Sequence, residues 1–196
     1  AFETRNVKFL VDQQVEFATI QITATGLKKS ILDATAPVRA YFKEKGVHDY
    51  DLQAQDPQHK RTVDTYILTD SSCHLTKTSL YRPVTKKGDP RLWVNKVHNV
   101  EFLHADDIFA FIAHNGLLYT LNLSTVDIPN VFQSAIDTSL KDLIVEISNN
   151  KSSISNELLG LIKDRMTDWM PVEILADTGV GRAVETILGI EMNPSK

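Results

Sequence analysis

The residues best suited to chemistry in this chain lie in the stretch from Ser79 to Val94. These sixteen residues include four cations, two aromatic side chains, one glycine and two prolines. Arginine can bind a phosphate or a guanine edge through two hydrogen bonds, lysine acts as a point charge, and an aromatic ring can stack on an unpaired base. The stretch therefore predicts a loop that contacts a nucleic-acid backbone. Its candidate contacts are Tyr81, Arg82, Lys86, Lys87, Arg91 and Trp93.

Two other basic clusters are candidates for the same role. Lys28 and Lys29 lie beside the first predicted helix, and Lys60 and Arg61 lie before a predicted strand. Basic helix faces and turns are often simply solvated, and Trp93 could belong to the core. The alternative interpretation is therefore an ordinary polar surface with no ligand.

The net charge of −4 conceals an uneven distribution of charge along the chain. Residues 59–98 carry 8 Lys and Arg against 3 Asp and Glu, whereas residues 99–196 carry 6 against 14. Phosphate binding depends on local charge, so the middle segment is where a DNA backbone would bind. The acidic C-terminal half fits a metal site or plain solubility equally well.

Several classes of function are disfavoured by the motifs that the sequence lacks. It has no Gly-rich dinucleotide or phosphate-loop motif and no Gly-x-Ser-x-Gly elbow. Cys73 is the only cysteine, which excludes an internal disulfide and fits a reducing cytoplasm. Three residues of metal-binding types, His48, Asp49 and His59, lie within twelve residues of the chain, but they lack the fixed spacing of a metal site. No apolar run approaches the roughly 20 residues that span a bilayer.

Hydrophobic spacing predicts an α+β fold with a mixed, mostly antiparallel sheet and a packed helix. Asn115-Gly116 and the polar residues 69–72 favour hairpin turns. A polar run at 148–153 predicts a break, so we expect an α+β domain over 1–148 and a helical segment over 149–196. The predicted strands are 7–11, 17–22, 62–68, 74–81, 91–94, 108–112 and 117–123, and the predicted helices are 36–45, 131–147 and 154–169.

The last twenty residues, from Asp177 to Lys196, carry a second motif. Asp177 or Thr178 can cap a helix, and Gly179 and Gly181 permit a tight entry. Four apolar residues then share one helical face, with Glu185 near its edge. From the residues alone, this segment is either a capped amphipathic helix with a solvated glutamate or the start of a catalytic site.

The Thr178-Gly-Val-Gly181 turn, Glu185 and Leu188-Gly-Ile190 together resemble the start of a MutH-like PD-(D/E)xK nuclease domain, of the MvaI and BcnI type of restriction endonuclease. Val184 and Ala183 depart from the family pattern, conservatively in shape. The resemblance implies that Glu185 is an acidic residue of a Mg²⁺ site, and that an Asp and a Glu-x-Lys follow on adjacent strands. No lysine in this sequence has an acidic residue two positions before it. We therefore expect the chain to end inside the nuclease domain.

The resemblance implies the N-terminal, DNA-engaging portion of a type II restriction endonuclease. The intact parent, which could form a homodimer, would hydrolyse DNA phosphodiesters with Mg²⁺ at a specific site, whereas this chain alone would bind double-stranded DNA without cutting it. Residues 1–148 would then recognise sequence, bind effector DNA or sense a modified base. The alternative is a protein-interaction or oligomerisation module without a nucleic-acid role. A further alternative, a complete enzyme at another site, requires His48, Asp49 and His59 to converge around a metal.

Overall fold

A curled, seven-stranded sheet forms the centre of the α+β fold. The computed structural model describes residues 2–97 and 103–165. The strands are β1 Ala18–Gln21, β2 Leu32–Asp33, β3 Arg61–Leu68, β4 Cys73–Tyr81, β5 Arg91–Val94, β6 Ile108–His114 and β7 Leu117–Asn122. Their order is β1-β6-β7-β3-β4-β5-β2, and every neighbouring pair is antiparallel except β3 and β7.

Five α-helices accompany the sheet in the described part of the chain. They are α1 Phe2–Asp12, α2 Ala24–Lys29, α3 Ala36–Glu44, α4 Ile128–Gln133 and α5 Ser139–Arg165. Short 3-10 turns also occur at Tyr50–Leu52, Pro57–His59 and Lys86–Gly88. The chain divides into two compact units, Ala1–Ser148 and Asn149–Lys196.

The two hairpins expected from the sequence are confirmed. β3 and β4 pair from Arg61 opposite Leu80 to Leu68 opposite Cys73. β6 and β7 are joined by Asn115 and Gly116, whose φ angles of 50° and 75° match the turn that Asn-Gly favours. A separate antiparallel pairing places the end of β4 beside β5, where Tyr81 is paired with Arg91.

The predicted first strand is wrong, because residues 2–12 form helix α1. Of the alternating residues Val7, Phe9 and Val11, both valines are exposed and only Phe9 packs against the core. The fully buried residues Asn6 and Leu10 have the four-residue spacing of a helix. Asn6 Nδ2 donates to the carbonyl oxygens of Leu123 at 2.8 Å and Val126 at 2.6 Å. A buried asparagine therefore anchors α1, and hydrophobic patterns cannot reveal such an anchor.

The predicted helix 131–147 and the predicted break at 148–153 also need correction. The helix is interrupted between Gln133 and Ser139, and a new helix begins where Thr138 Oγ1 accepts from the Lys141 amide at 3.2 Å. This second helix, α5, continues through 148–153 without a break. That run contains neither glycine nor proline, so its polarity indicates solvent exposure rather than a backbone interruption.

The predicted helix 36–45 is confirmed as α3, which packs against strand β6 of the sheet. Phe42 is fully buried and meets the Phe111 ring edge-on at a centroid distance of 5.5 Å. The Tyr41 hydroxyl accepts from the Ala113 amide at 2.8 Å and donates to the Glu16 carbonyl at 2.9 Å. Burying one such aromatic side chain stabilises the fold by about 2 kcal/mol, so α3 holds β6 firmly in place.

Candidate nucleic-acid interface

A short surface ridge, formed by Tyr81, Pro83 and Thr85, separates two grooves. We call it the 81–85 ridge. The first groove, about 500 Å³ in volume, contains Ser79 and Asn95 together with Trp93, and we call it the Asn95 groove. Both its volume and its mixed lining are in the range of small-ligand sites. The ridge continues directly from β4, so the sheet fixes its position.

The second groove lies on the other flank of the ridge and has a volume of about 560 Å³. Ile20 of β1 and Leu32 of β2 both line it, so it lies where the two outer strands of the curled sheet approach each other. Lys29 and Arg91 also line this groove, which we call the β1–β2 groove. The 81–85 ridge therefore has a cationic side chain within reach on this flank.

Arg82, the leading candidate from the sequence, holds the loop together instead of pointing freely to solvent. Its Nε donates to the carbonyl oxygen of Gly88 at 2.9 Å, and its Nη1 donates to those of Gln53 at 3.1 Å and Tyr50 at 3.4 Å. Gly88 has a φ of 70°, and a Cβ there would lie 2.2 Å from Gln55 Cδ. The guanidinium thus fastens a tight turn. Lys86 belongs to the same turn, but its side chain lies outside the described ones.

Arg91 is similarly occupied within the fold. Its guanidinium pairs with the carboxylates of Asp33, across the β2–β5 pairing, and of Asp89, at 3.6 Å. The Arg91 side chain is only 13% exposed. Arg91 thus offsets the charges of two carboxylates, of which Asp33 lines the β1–β2 groove, where uncompensated negative charge would repel phosphate.

The cations of the two other basic clusters, unlike Arg82 and Arg91, are open to solvent. Among residues 2–97 whose side chains are described, six exposed cations have neither an ion pair nor a side-chain hydrogen bond, and the remaining exposed lysines and arginines all have an ion-pair partner. The six open cations are Lys28, Lys29, Lys60, Arg61, Lys87 and Lys96.

Two of these open cations line the grooves, and two others are close to the groove residues in sequence. Lys60 lines the Asn95 groove, Lys29 lines the β1–β2 groove, and Lys28 precedes Lys29 on α2. Lys87 belongs to the turn fastened by Arg82, and its backbone carbonyl accepts from Gln55 Nε2 at 3.2 Å. The structure therefore brings together parts of all three basic clusters predicted from the sequence.

Arg61 departs from this arrangement. Although it follows Lys60 directly, it lines a third groove of about 300 Å³ together with Lys45 and His114. Arg61 begins β3, where successive side chains point to opposite faces of the sheet. Lys60 and Arg61 are thus divided between two surfaces, and only Lys60 faces the 81–85 ridge.

The two aromatic candidates differ in exposure. Trp93 is 9% exposed, and it forms part of both the core and the wall of the Asn95 groove. Tyr81 is half-buried and lines both grooves. Burial raises the pKa of the Tyr81 hydroxyl, which consequently keeps its proton near neutral pH and can donate a hydrogen bond.

Three residues of this surface were missed from the sequence. Ser79, Asn95 and Lys96 carry no motif, and only the pairing of β4 with β5 brings the first two to the same groove. The alternation along β4 could have indicated that Ser79 and Tyr81 share a face. Nothing in the sequence indicates that Asn95, which follows β5, would join them.

A complete enzyme at another site would need His48, Asp49 and His59 to converge around a metal. The structure does not group them in this way. His48 is buried with its Nε2 3.1 Å from Gln53 Oε1, and Gln53 Nε2 donates to the carbonyls of His59 and Leu80. Because Gln53 presents its oxygen, His48 Nε2 must carry the proton. Burial lowers the pKa of His48, and the Lys43 ammonium lowers the pKa of Asp49. Across residues 2–97 and 103–165, no three His, Cys, Asp or Glu side chains are grouped to hold a metal.

Glu185, which the resemblance assigns to the Mg²⁺ site, lies outside the described residues. The Mg²⁺ assignment therefore rests on the resemblance alone, and the described side chains supply no second candidate for it. None of the helices in the described ranges is sufficiently long and apolar to cross a membrane. Comparison with known proteins gave no match among family models, curated proteins or solved structures.

Proposed function

We propose that this chain binds double-stranded DNA through the 81–85 ridge and the lysines around it. The observation that carries the proposal is that each groove is lined by an exposed lysine without an ion pair among the described residues, Lys29 on one flank and Lys60 on the other. The ammonium group of a lysine in an ion pair already contacts a carboxylate in place of water. Open lysines remain available to displace the counterions of a phosphate backbone.

The arginines support this surface indirectly. Arg82 fixes the turn that carries Lys87, and Arg91 offsets the charges of Asp33 and Asp89. Lysine contacts to phosphate position a protein on the duplex but do not read sequence, so the ridge alone would give sequence-independent affinity. Base reading would require the polar groups inside the grooves.

The C-terminal resemblance extends the proposal to the parent protein. It would be an endonuclease of the MvaI and BcnI type that cuts DNA with Mg²⁺, with Glu185 among the metal ligands. Because no lysine in the sequence follows an acidic residue by two positions, we expect this chain to bind without hydrolysing DNA. A cytoplasmic location and a homodimeric parent belong to the same proposal.

The alternative of an interaction module has one supporting observation. In the unit Asn149–Lys196, the exposed fractions are 65% for Ile154 and 46% for Leu158, which lie four residues apart on α5. Such apolar spacing is typical of a helix that contacts a partner. An interaction module without a nucleic-acid role predicts no DNA binding, so a DNA-binding experiment separates the two hypotheses.

The test is a fluorescence-anisotropy titration of the unmodified chain with a random-sequence duplex at a series of salt concentrations. About six phosphate contacts give a slope of log K against log salt near −5, which is roughly a thousandfold loss of affinity between about 50 and 200 mM salt. Absence of binding at the lowest salt concentration would reject the proposal and favour the interaction module. A single strand of the same sequence serves as the comparison ligand.

A further inference from the structure

The Asn95 groove combines aromatic and apolar walls with polar side chains that have no hydrogen-bond partner among the described residues. Tyr81, Pro83 and Trp93 provide the walls, and Ser79 and Asn95 provide the polar groups. Within the described residues, the Ser79 hydroxyl and the Asn95 carboxamide have no hydrogen-bond partner. Ser79 lines the groove although the residue is only 3% exposed.

The backbone of Asn95 is fixed independently of its side chain. Its amide donates to the carbonyl of Lys77 at 3.0 Å, and its carbonyl accepts from Thr76 Oγ1 at 2.8 Å. The carboxamide is consequently held at a defined place while its own donor and acceptor remain available. An asparagine side chain can pair with the donor and acceptor that one base edge presents side by side.

The charge around the groove favours an anionic ligand with a flat, apolar body. Lys60 lines the groove, and Lys96, which follows Asn95, is exposed and forms no ion pair with any residue of the described ranges. Asp56 also lines the groove, where its Oδ1 accepts from the Gln58 amide at 2.8 Å, and this bond directs it toward the backbone. A nucleotide presents a phosphate for the lysines, a flat base for Tyr81 and an edge for Asn95.

We propose that the Asn95 groove receives a nucleobase swung out of the double helix. The inference rests on the proposed function, because the duplex must first bind at the 81–85 ridge. A paired base cannot reach Ser79, since this residue is almost fully buried in the wall of the groove. Extrusion costs stacking and pairing energy, and the cost is smallest where the base is already mismatched.

The test compares three duplexes of one sequence: a fully paired duplex, one with a single mismatch, and one without either base at that position. The third duplex also lacks a normal base pair at that position but has no base to extrude. We expect the mismatched duplex to bind on the order of tenfold more tightly than either of the others. Equal affinity for the mismatched and the base-free duplexes would overturn the inference.

Substitution of Asn95 then locates the base. Asn95→Leu keeps both backbone hydrogen bonds and removes the carboxamide, so we expect the preference for the mismatch to disappear while the salt slope stays unchanged. Asn95→Ala repeats the comparison without added bulk. A preference that survives both substitutions would place the base elsewhere and overturn the inference. Absence of salt-sensitive binding to any of the duplexes would instead reject the proposed function itself.

Discussion

Replacing Lys28, Lys29 and Lys60 together by glutamine is expected to abolish most DNA binding. Lys60 and Lys29 line the two grooves beside the 81–85 ridge, and Lys28 precedes Lys29 on α2. All three are exposed and have no ion pair within the described part of the chain. Removing one phosphate-binding lysine should make the salt slope shallower by about 0.9, so the triple variant should change the slope by about 3 and reduce the affinity about a hundredfold at roughly 0.1 M salt. Anisotropy titrations at several salt concentrations measure both quantities.

The matched control removes the same charge from lysines that are already paired. Lys8 pairs with Asp12, Lys43 with Asp49 and Asp51, and Lys141 with Asp137. Changing Lys8, Lys43 and Lys141 to glutamine should leave the slope nearly unchanged, because a lysine held by a carboxylate does not displace counterions from the phosphate backbone. Equal reductions of affinity in the two triple variants would mean that total charge, rather than this surface, governs binding.

Arg82→Ala is expected to destabilise the fold strongly while leaving the lysine contacts in place. Its guanidinium donates to the carbonyls of Gly88 at 2.9 Å and Gln53 at 3.1 Å. Hydrogen bonds from a charged donor contribute about 1.5–3 kcal/mol each, but the site is half-buried and water can replace part of this contribution. We therefore expect the free energy of unfolding, measured in urea, to fall by about 2–3 kcal/mol.

Lys87→Gln, on the same turn, provides the control for Arg82. Lys87 contributes only a backbone carbonyl to the turn, so this change should alter the free energy of unfolding by no more than about 0.5 kcal/mol. If Arg82→Ala unfolds like the unmodified chain yet no longer binds DNA, Arg82 contacts DNA directly. That result would contradict its structural assignment and restore the interpretation suggested by the sequence.

The contrast between Arg82 and Lys60 shows why the site could be only partly predicted. Residue type predicted both as phosphate ligands, and the basic composition of 59–98 directed attention to the surface that exposes Lys60. Composition does not show which groups of the protein itself bind each charged side chain. Arg82 lies where three backbone carbonyls converge, whereas no carboxylate in the described part of the chain pairs with Lys60. Such partners come from segments distant in sequence, here Tyr50 and Gln53.

The fold was predictable where local chemistry decided the structure. Asn115-Gly116 formed its hairpin, and Pro37 lies in the first turn of α3 as expected. The predicted first strand failed because a long-range contact could not be foreseen: Asn6 anchors helix α1 through bonds to Leu123 and Val126, more than a hundred residues away. The expected break at 148–153 failed for a local reason, since that run has neither glycine nor proline. Strand β2 has only two residues and exists because β5 is present to pair with it.

Amine acetylation of the lysines, with and without a bound duplex, shows directly whether DNA binds at the 81–85 ridge, because it reports every lysine of one molecule at once. Mass spectrometry then gives the degree of protection at each position. We expect the duplex to protect Lys28, Lys29 and Lys60, while Lys8 and Lys43 react equally in both states. Protection of Lys8 or Lys43 with Lys29 and Lys60 unchanged would show that DNA binds elsewhere and would contradict the assignment of the 81–85 ridge.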